Sequence, residues 1–331
     1  MPNLLQGKVV IVTGAGRGLG RAHALAMAAQ GAEVVVNDLG VPSTGTNASR
    51  SPADDVVAEI EKAGGTAAPS YDSVTTPDGA ENIIKTALDT FGRLDILVNN
   101  AGVLRDRMIF NMSDEEWDLV IKTHLYGTFY CTRAAARVMR DQSYGRVINT
   151  SSVAGMGNMG QANYAAAKEG IIGFTRTVSK DLSRYKVTCN AIRPRAATRM
   201  TLTDELYQAR RKSWGEEKAE AWRKAVESET PEDVSPLVVY LASEQAGNIS
   251  GCIFDVHGGF IALYDDPPRF TRTLVKKGGR WLPEELAQLA PQTLTKDMPP
   301  LQIPVLKRVT PDALGWEWAD GVLKESKPVL E

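Results

Sequence analysis

In the segment "GQANYAAAKEG", Tyr164 and Lys168 stand four residues apart at what reads as the start of a helix. Four residues rise only ~6 Å along a helix and return to the same side, so the ammonium can lie close to the phenol ring. A phenol with pKa ~10 is only ~0.1% ionised at neutral pH, and an ammonium that lowers that pKa by ~2 to 3 raises the ionised fraction ~100- to 1000-fold. Such a pair can take up and release a proton near neutrality. The same spacing is also common on ordinary helix faces, with a solvated lysine and a half-buried tyrosine, so the pair acquires meaning only from the elements that hold it.

Those elements alternate. "KVVIVTG", "AEVVVND", "LDILVNNAG", "GRVINTSS", "VTCNAIRP" and "CIFDVHGG" are short apolar, β-branched runs, and helix-patterned segments such as "GRAHALAMAAQG", "ADDVVAEIEKAGG" and "AENIIKTALDTFG" lie between them. Strands buried on both faces and separated by helices predict an α/β fold, a doubly wound parallel sheet. A long helix is expected around Trp117–Met139 and a charged, helix-prone stretch over 200–229. From about Ala262 the chain turns proline-rich without a clear apolar period, which separates a domain over 1–261 from an extension over 262–331.

The loop "TGAGRGLG" joins the first strand to the first helix, where unpaired N–H groups and the helix dipole favour a phosphate. The sixth position of the common dinucleotide fingerprint is Leu19 rather than glycine, but Gly14, Gly18 and Gly20 fit a wider spacing. Asp38 closes the second strand. A carboxylate there accepts hydrogen bonds from the adenosine ribose hydroxyls and repels a 2′-phosphate, which favours NAD over NADP. Arg17, within the loop, argues the other way.

Composition narrows the function classes. The net charge is −2 and the basic residues are scattered, which argues against nucleic acid. Cys131, Cys189 and Cys252 lie far apart in apolar contexts, so they read as core thiols in a reducing compartment, with no metal site expected. "MPNLLQGKVVIVTG" enters a strand without the features of a signal peptide, no apolar run is long enough to span a bilayer, and "PVLE" matches no organelle address. The expectation is a cytoplasmic protein.

With "TGAGRGLG", "NNAG" at 99–102, Ser151 in "NTSS" and "YAAAK" at 164–168, the chain resembles the short-chain dehydrogenase/reductase family over roughly residues 7–260. The thirteen residues from Ser151 to Tyr164 match that family's usual spacing. The resemblance implies Tyr164 as acid/base, Lys168 as its activator and ribose anchor, and Ser151 as the group that binds the substrate oxygen. It further implies that Gly14, Arg17, Gly18, Leu19 and Gly20 line a pyrophosphate, Asp38 a ribose, Asp72 and Ser73 the adenine edge, and Asn100, Ala101 and Gly102 the second ribose. Within the family, "NNAGVLRDRMIFNMSDEEWD" and "GQANYAAAK" are most similar to the (3R)-hydroxyacyl-CoA dehydrogenase unit of peroxisomal multifunctional enzyme type 2 and its bacterial relatives. An insertion after Asp38, "GVPSTGTNASRSPADD", fits that subgroup.

The resemblance therefore implies an NAD-dependent dehydrogenase of a (3R)-hydroxyacyl-CoA or related CoA thioester, assembled as a homodimer or homotetramer. A hydroxysteroid or cyclic-alcohol dehydrogenase is the neighbouring alternative, and a non-catalytic subunit of a dehydrogenase assembly the alternative of another class. Two positions depart from the family pattern: His124 replaces an asparagine, and Arg195 replaces the glycine of a Pro-Gly pair. The run Arg210, Arg211, Lys212 in the expected lid could meet coenzyme A phosphates or simply be a solvated face. The extension, with Trp281, Trp316 and Trp318, is expected to serve as an arm at a subunit interface or pocket.

Overall fold

The computed structural model describes residues 3–40, 51–198, 202, 204–265, 268, 272–275, 282–294, 296, 315–319 and 322–326. The glycine/serine-rich part of the insertion, residues 41–50, and Trp281 lie outside them. The chain divides into two units, 1–267 and 268–331.

In the first unit, strands β1 (Val9–Thr13), β2 (Glu33–Asn37), β3 (Thr66–Ser70), β4 (Ile96–Asn99), β5 (Gly145–Thr150), β6 (Val187–Pro194), β7 (Ile253–His257) and β8 (Phe260–Leu263) form one sheet in the order β3-β2-β1-β4-β5-β6-β7-β8. All neighbours are parallel except β7 and β8, which pair antiparallel. The β-branched runs are explained by this topology. Val10, Val12, Val34, Val36, Ile96 and Val98 enter a core on one face, and Val9, Ile11, Val35 and Leu97 enter a second core on the other, so alternate side chains are all buried.

Helices α1 (Gly18–Ala29), α2 (Ser51–Lys62) and α9 (Ser235–Ala242) cover the first face through Met27, Ile60 and Leu241. Helices α3 (Pro77–Phe91) and α5 (Gly127–Gln142), with the end of α6 (Ala162–Leu182), cover the second through Ile83, Met139 and Leu182. The helix expected around Trp117–Met139 is α4 (Asp114–Ile121) running into α5 through a π-helical turn at Lys122–Tyr126. The charged stretch forms a hairpin of α7 (Asp204–Trp214) and α8 (Glu216–Glu227).

Two strands of this sheet go beyond the sequence reading. β3 is "TAAPS", a poor strand former that pairs only with β2 at the sheet edge, where Pro69 is tolerated. β8 carries the sheet through Leu263, past the 261/262 boundary drawn from composition. The second unit contains a helix, α10 (Pro283–Leu289), and an antiparallel hairpin of β9 (Gly315–Ala319) and β10 (Val322–Ser326). Among the described residues no helix is long and apolar enough to cross a membrane.

Candidate active site

Strand order reverses between β1 and β4, and a crevice opens there at the carboxyl ends of the strands. It is a cavity of about 580 Å³ that reaches from Asp38 and Asp72 at one end to Ser152, Tyr164 and Lys168 at the other. Every residue assigned above to cofactor or catalysis lines it except Gly20.

At the first end the geometry is made by backbone. Gly14 has φ +64°, and a Cβ there would lie 2.8 Å from the Cα of Ala101. A Cβ on Gly20 would lie 2.2 Å from the Gly14 carbonyl oxygen, so Gly20 supports the loop from behind. Gly16, not singled out from sequence, donates its N–H to Asp38 Oδ2 at 2.8 Å, and Gly40 donates to Oδ1 at 2.7 Å. The Asp38 carboxylate is thereby fixed in the wall. Asn100 braces the loop: its Nδ2 donates to the carbonyl oxygens of Thr13 and Gly14 at 3.0 and 3.2 Å, and its N–H donates to Thr13 Oγ1 at 3.0 Å. Asp72 accepts a bond from Asn82 at 3.1 Å, and Ser73 shares one with Thr75 at 2.8 Å.

The other end is made by side chains. Asn163, fully buried, sets the first turn of α6: its Nδ2 donates to the carbonyl oxygens of Arg105 and Glu116 at 2.9 and 3.1 Å, and its Oδ1 accepts the Tyr164 N–H at 2.7 Å. Lys168 is 3% exposed, and its ammonium lies 5.5 Å from the Tyr164 ring centroid and donates to the Thr150 carbonyl oxygen at 2.6 Å. Burial dominates both titrations. It pushes Tyr164 up to about 12, against a Ser152 hydrogen bond that lowers it, while the Asp106 carboxylate adds to the rise. It pulls Lys168 down to about 7. The expected downward pull of the ammonium on the phenol is thus outweighed by loss of water, and the phenol of the protein alone is protonated.

The two adjacent serines divide differently from the expectation. Ser151, assigned the substrate oxygen by resemblance, is 1% exposed and donates its hydroxyl to the Lys168 carbonyl oxygen at 2.8 Å, tying β5 to α6. The hydroxyl that acts on the phenol titration is that of Ser152, which lines the cavity with Tyr164 and accepts the Ala154 N–H at 3.1 Å to start a 3₁₀ turn.

The departures also acquire partners. Arg195 forms a two-pronged ion pair with Glu229, with Nε 2.5 Å from Oε2, and its Nη2 lies 2.8 Å from His257 Nδ1. The Ala197 N–H donates to the Glu229 carbonyl oxygen at 2.6 Å, so the two ends of the lid segment meet. Arg210 is sandwiched between the rings of Trp214 and Trp222, at 4.3 and 4.2 Å, and Arg211 pairs with Glu216. These two cations hold the α7–α8 hairpin together, while Lys212 is exposed, and none of the three lines the cavity. His124 is buried in the wall beside Tyr164, their rings edge to face at 5.1 Å.

A doubly wound sheet with a glycine loop at its switch point, and a tyrosine and lysine one helical turn apart beside a serine, define a nucleotide-dependent oxidoreductase of the short-chain type. The family model described as short chain dehydrogenase matches residues 8–210, and the chain belongs to that family. It is 46% identical over 277 residues to peroxisomal multifunctional enzyme type 2 of Mus musculus, covering 82% of this chain but only 34% of that one. It is 43% identical over 295 residues to hydroxyacyl-CoA dehydrogenase ChsB1 of Mycobacterium tuberculosis, covering 85% of this chain and 87% of that one. A crystal structure of a short chain dehydrogenase from Mycobacterium avium superposes with a TM-score of 0.76 at 45% identity, covering 91% of this chain and 99% of that one.

Proposed function

We propose that the protein is an NAD-dependent dehydrogenase of (3R)-hydroxyacyl-CoA or related CoA thioesters, with Tyr164 as acid/base, Ser152 as the hydroxyl that binds the substrate oxygen and Lys168 as the charge beside them. The observation that carries this reading is one cavity with Asp38 fixed at one end and the Ser152–Tyr164–Lys168 group at the other. The residues fit a nicotinamide dinucleotide: Gly14 and Gly18 take the positive φ of the tight loop that lines the cavity at the start of α1, and Asp38 offers a carboxylate to ribose hydroxyls. When bound, the nicotinamide accepts or supplies the hydride. The protein moves the proton. A protonated Tyr164 gives it to a carbonyl oxygen in reduction, and in oxidation the same oxygen takes it from the alcohol once positive charge nearby offsets the burial. Ser152 bonds the substrate oxygen and holds it against the phenol, and Lys168, anchored by the Thr150 carbonyl, keeps its ammonium beside the Tyr164 ring.

NAD is favoured because the fixed Asp38 carboxylate repels a 2′-phosphate, with Arg17 in the same wall as the counterweight. The thioester reading is supported by relatives named for hydroxyacyl-CoA chemistry. An apolar substrate body is supported by exposed Met108, Ile109, Phe110, Met156 and Met159 on two loops beyond the catalytic end. The Arg107 N–H donates to the Gly160 carbonyl oxygen at 2.8 Å and Gln161 bonds Asp106 at 2.7 Å, which clamps those loops together. The same rim suits a steroid or cyclic alcohol, which is the second reading. We further place the protein in the cytoplasm as a homodimer or homotetramer, with residues 268–331 as an arm toward a neighbouring subunit.

The test is reduced-nicotinamide absorbance with NAD or NADP and matched (3R)- and (3S)-hydroxyacyl-CoA plus a steroid alcohol. NAD reduction by the (3R) thioester alone is expected; turnover of the free alcohol with silence on thioesters keeps the mechanism and discards the CoA reading.

A further inference from the structure

We propose that Arg195 and Glu229 are positioning residues that clasp the segment 194–198 from outside the cavity, hold it as a wall facing the glycine loop, and thereby set the affinity for the dinucleotide. The effect on affinity rests on the cofactor reading above; the clasp itself does not.

Alternate residues of this segment do different work. Pro194, Ala196 and Thr198 line the cavity, whereas Arg195 and Ala197 do not. A Cβ on Gly18 would lie 3.6 Å from Thr198 Cγ2, so the segment comes up against the glycine loop at its far end. The sheet holds its start, through the Arg195 N–H on the Val256 carbonyl oxygen at 3.0 Å. Beyond that point Glu229 acts on it twice. Its carbonyl oxygen accepts the Ala197 N–H at 2.6 Å, and its two carboxylate oxygens take the Arg195 guanidinium.

The clasp has a firm backing. His257, the last residue of β7, places Nδ1 2.8 Å from Arg195 Nη2 and 3.2 Å from Glu229 Oε1, and its ring stacks on Phe260 of β8 at 4.9 Å. The Arg195 and Glu229 side chains are 31% and 15% exposed, and a two-pronged guanidinium–carboxylate pair shielded to that degree fixes direction as well as distance. The Arg223–Glu227 pair on α8, with both side chains close to half exposed, is of the kind that fixes little. Position gives the first pair its function. Arg195 cannot leave Glu229 without pulling on the backbone between Pro194 and Ala196, and both of those face the cavity. The glycine of the family pattern has no side chain with which to make this contact.

The experiment compares the full chain with Arg195→Ala, Glu229→Gln, the double variant, and Arg223→Gln as a control. In calorimetric titration with NAD, each of the first two should raise Kd about 5- to 20-fold through loss of a preorganised wall. The double variant should bind no more weakly than the weaker single one, since both break the same pair. KM for NAD should rise alike with kcat held within about threefold, the pattern of lost binding rather than lost chemistry. Arg195→Lys, which keeps the charge and one prong, should recover part of the loss, and Arg223→Gln should leave Kd unchanged. A lowered melting temperature with unchanged Kd in both single variants would make the pair a support of the fold alone and overturn the proposal. Losses that add in the double variant, or an equal loss in the control, would overturn it as well. Hydrogen exchange of segment 194–198 without ligand tests the clasp apart from the cofactor: it should quicken about tenfold in each single variant and not in the control. A parent that binds neither NAD nor NADP would overturn the cofactor reading and the effect on affinity with it, whereas unchanged exchange in both single variants would overturn the clasp.

Discussion

The two ends of the cavity are built by different physics. At the Asp38 end the shape comes from backbone: missing Cβ atoms, N–H groups aimed at a carboxylate, and the ends of β1 and β4 bonded to each other through Thr13 and Asn100. At the Tyr164 end it comes from buried side chains whose protonation is set by how much water is excluded. The first kind of site tolerates electrostatic error and little steric error. The second depends on which hydroxyl and which proton stand a few ångströms from the reacting oxygen, so single-atom changes there should cost most.

Tyr164→Phe tests that directly. It removes the proton donor and keeps the ring that packs on His124, so kcat should fall ~10²- to 10⁴-fold while NAD affinity stays within a few-fold. Calorimetric NAD binding beside steady-state rates separates the two, and retained turnover would refute the assignment. The serine pair is next. Ser152→Ala should lower kcat by roughly 10²-fold through loss of the bond to the substrate oxygen. Ser151→Ala deletes one internal bond to the Lys168 carbonyl and should show mainly as a stability loss of ~1 kcal/mol. The reverse order of effects would return the catalytic role to Ser151. At the other end, Asp38→Asn keeps the hydrogen bonds to Gly16 and Gly40 in part and removes the charge, so the ratio of kcat/KM for NAD over NADP should fall by about tenfold. An unchanged ratio would mean that Arg17 or the loop, not Asp38, reads the cofactor.

The same contrast explains what could be read from the sequence. The sheet was legible because its strands are buried on both faces and so are β-branched throughout, and the glycine loop because sterics at Gly14 and Gly20 demand glycine. β3 was not, since Thr66–Ser70 sits at an edge and is held by pairing with β2 rather than by its own propensity. β8 was hidden because a four-residue antiparallel return needs only the turn at Gly258 and Gly259, and its Ile261 and Leu263 are exposed. Spacing put Tyr164 and Lys168 on one helix, where the structure has them, and chose Ser151, whose bond to the Lys168 carbonyl could not be read from spacing; the proposed role therefore moves to Ser152. Asn163, Thr13 and Gly16 were missed because each works through a partner distant in sequence; the Gly16–Asp38 contact joins positions 22 apart. The direction of the Tyr164 titration was invisible for a related reason: proximity of charges can be read from spacing, and burial cannot.

That last point gives the smallest effect and a test that requires no substrate. Lys168 titrates at about 7 in the folded protein and near its ordinary 10.5 once unfolded. Below about 7 both states carry the proton, and folding bears the full penalty of the buried charge. Between the two values the unfolded chain holds a proton that the folded chain has released, so stability rises with pH across that window and levels off above it. Lys168→Met removes the titration without removing the bulk of the side chain. Its melting temperature should stand highest relative to that of the parent at pH 6 to 7, and the difference should shrink and then reverse as pH approaches 10. The loss of the bond to the Thr150 carbonyl works against this gain by about 1–3 kcal/mol, which lowers the variant at every pH but does not change the slope of the difference. Thermal unfolding of both proteins at about pH 6, 8 and 10 measures that slope. Parallel curves would show that the ammonium is well solvated in the folded state and that burial does not govern this end of the cavity.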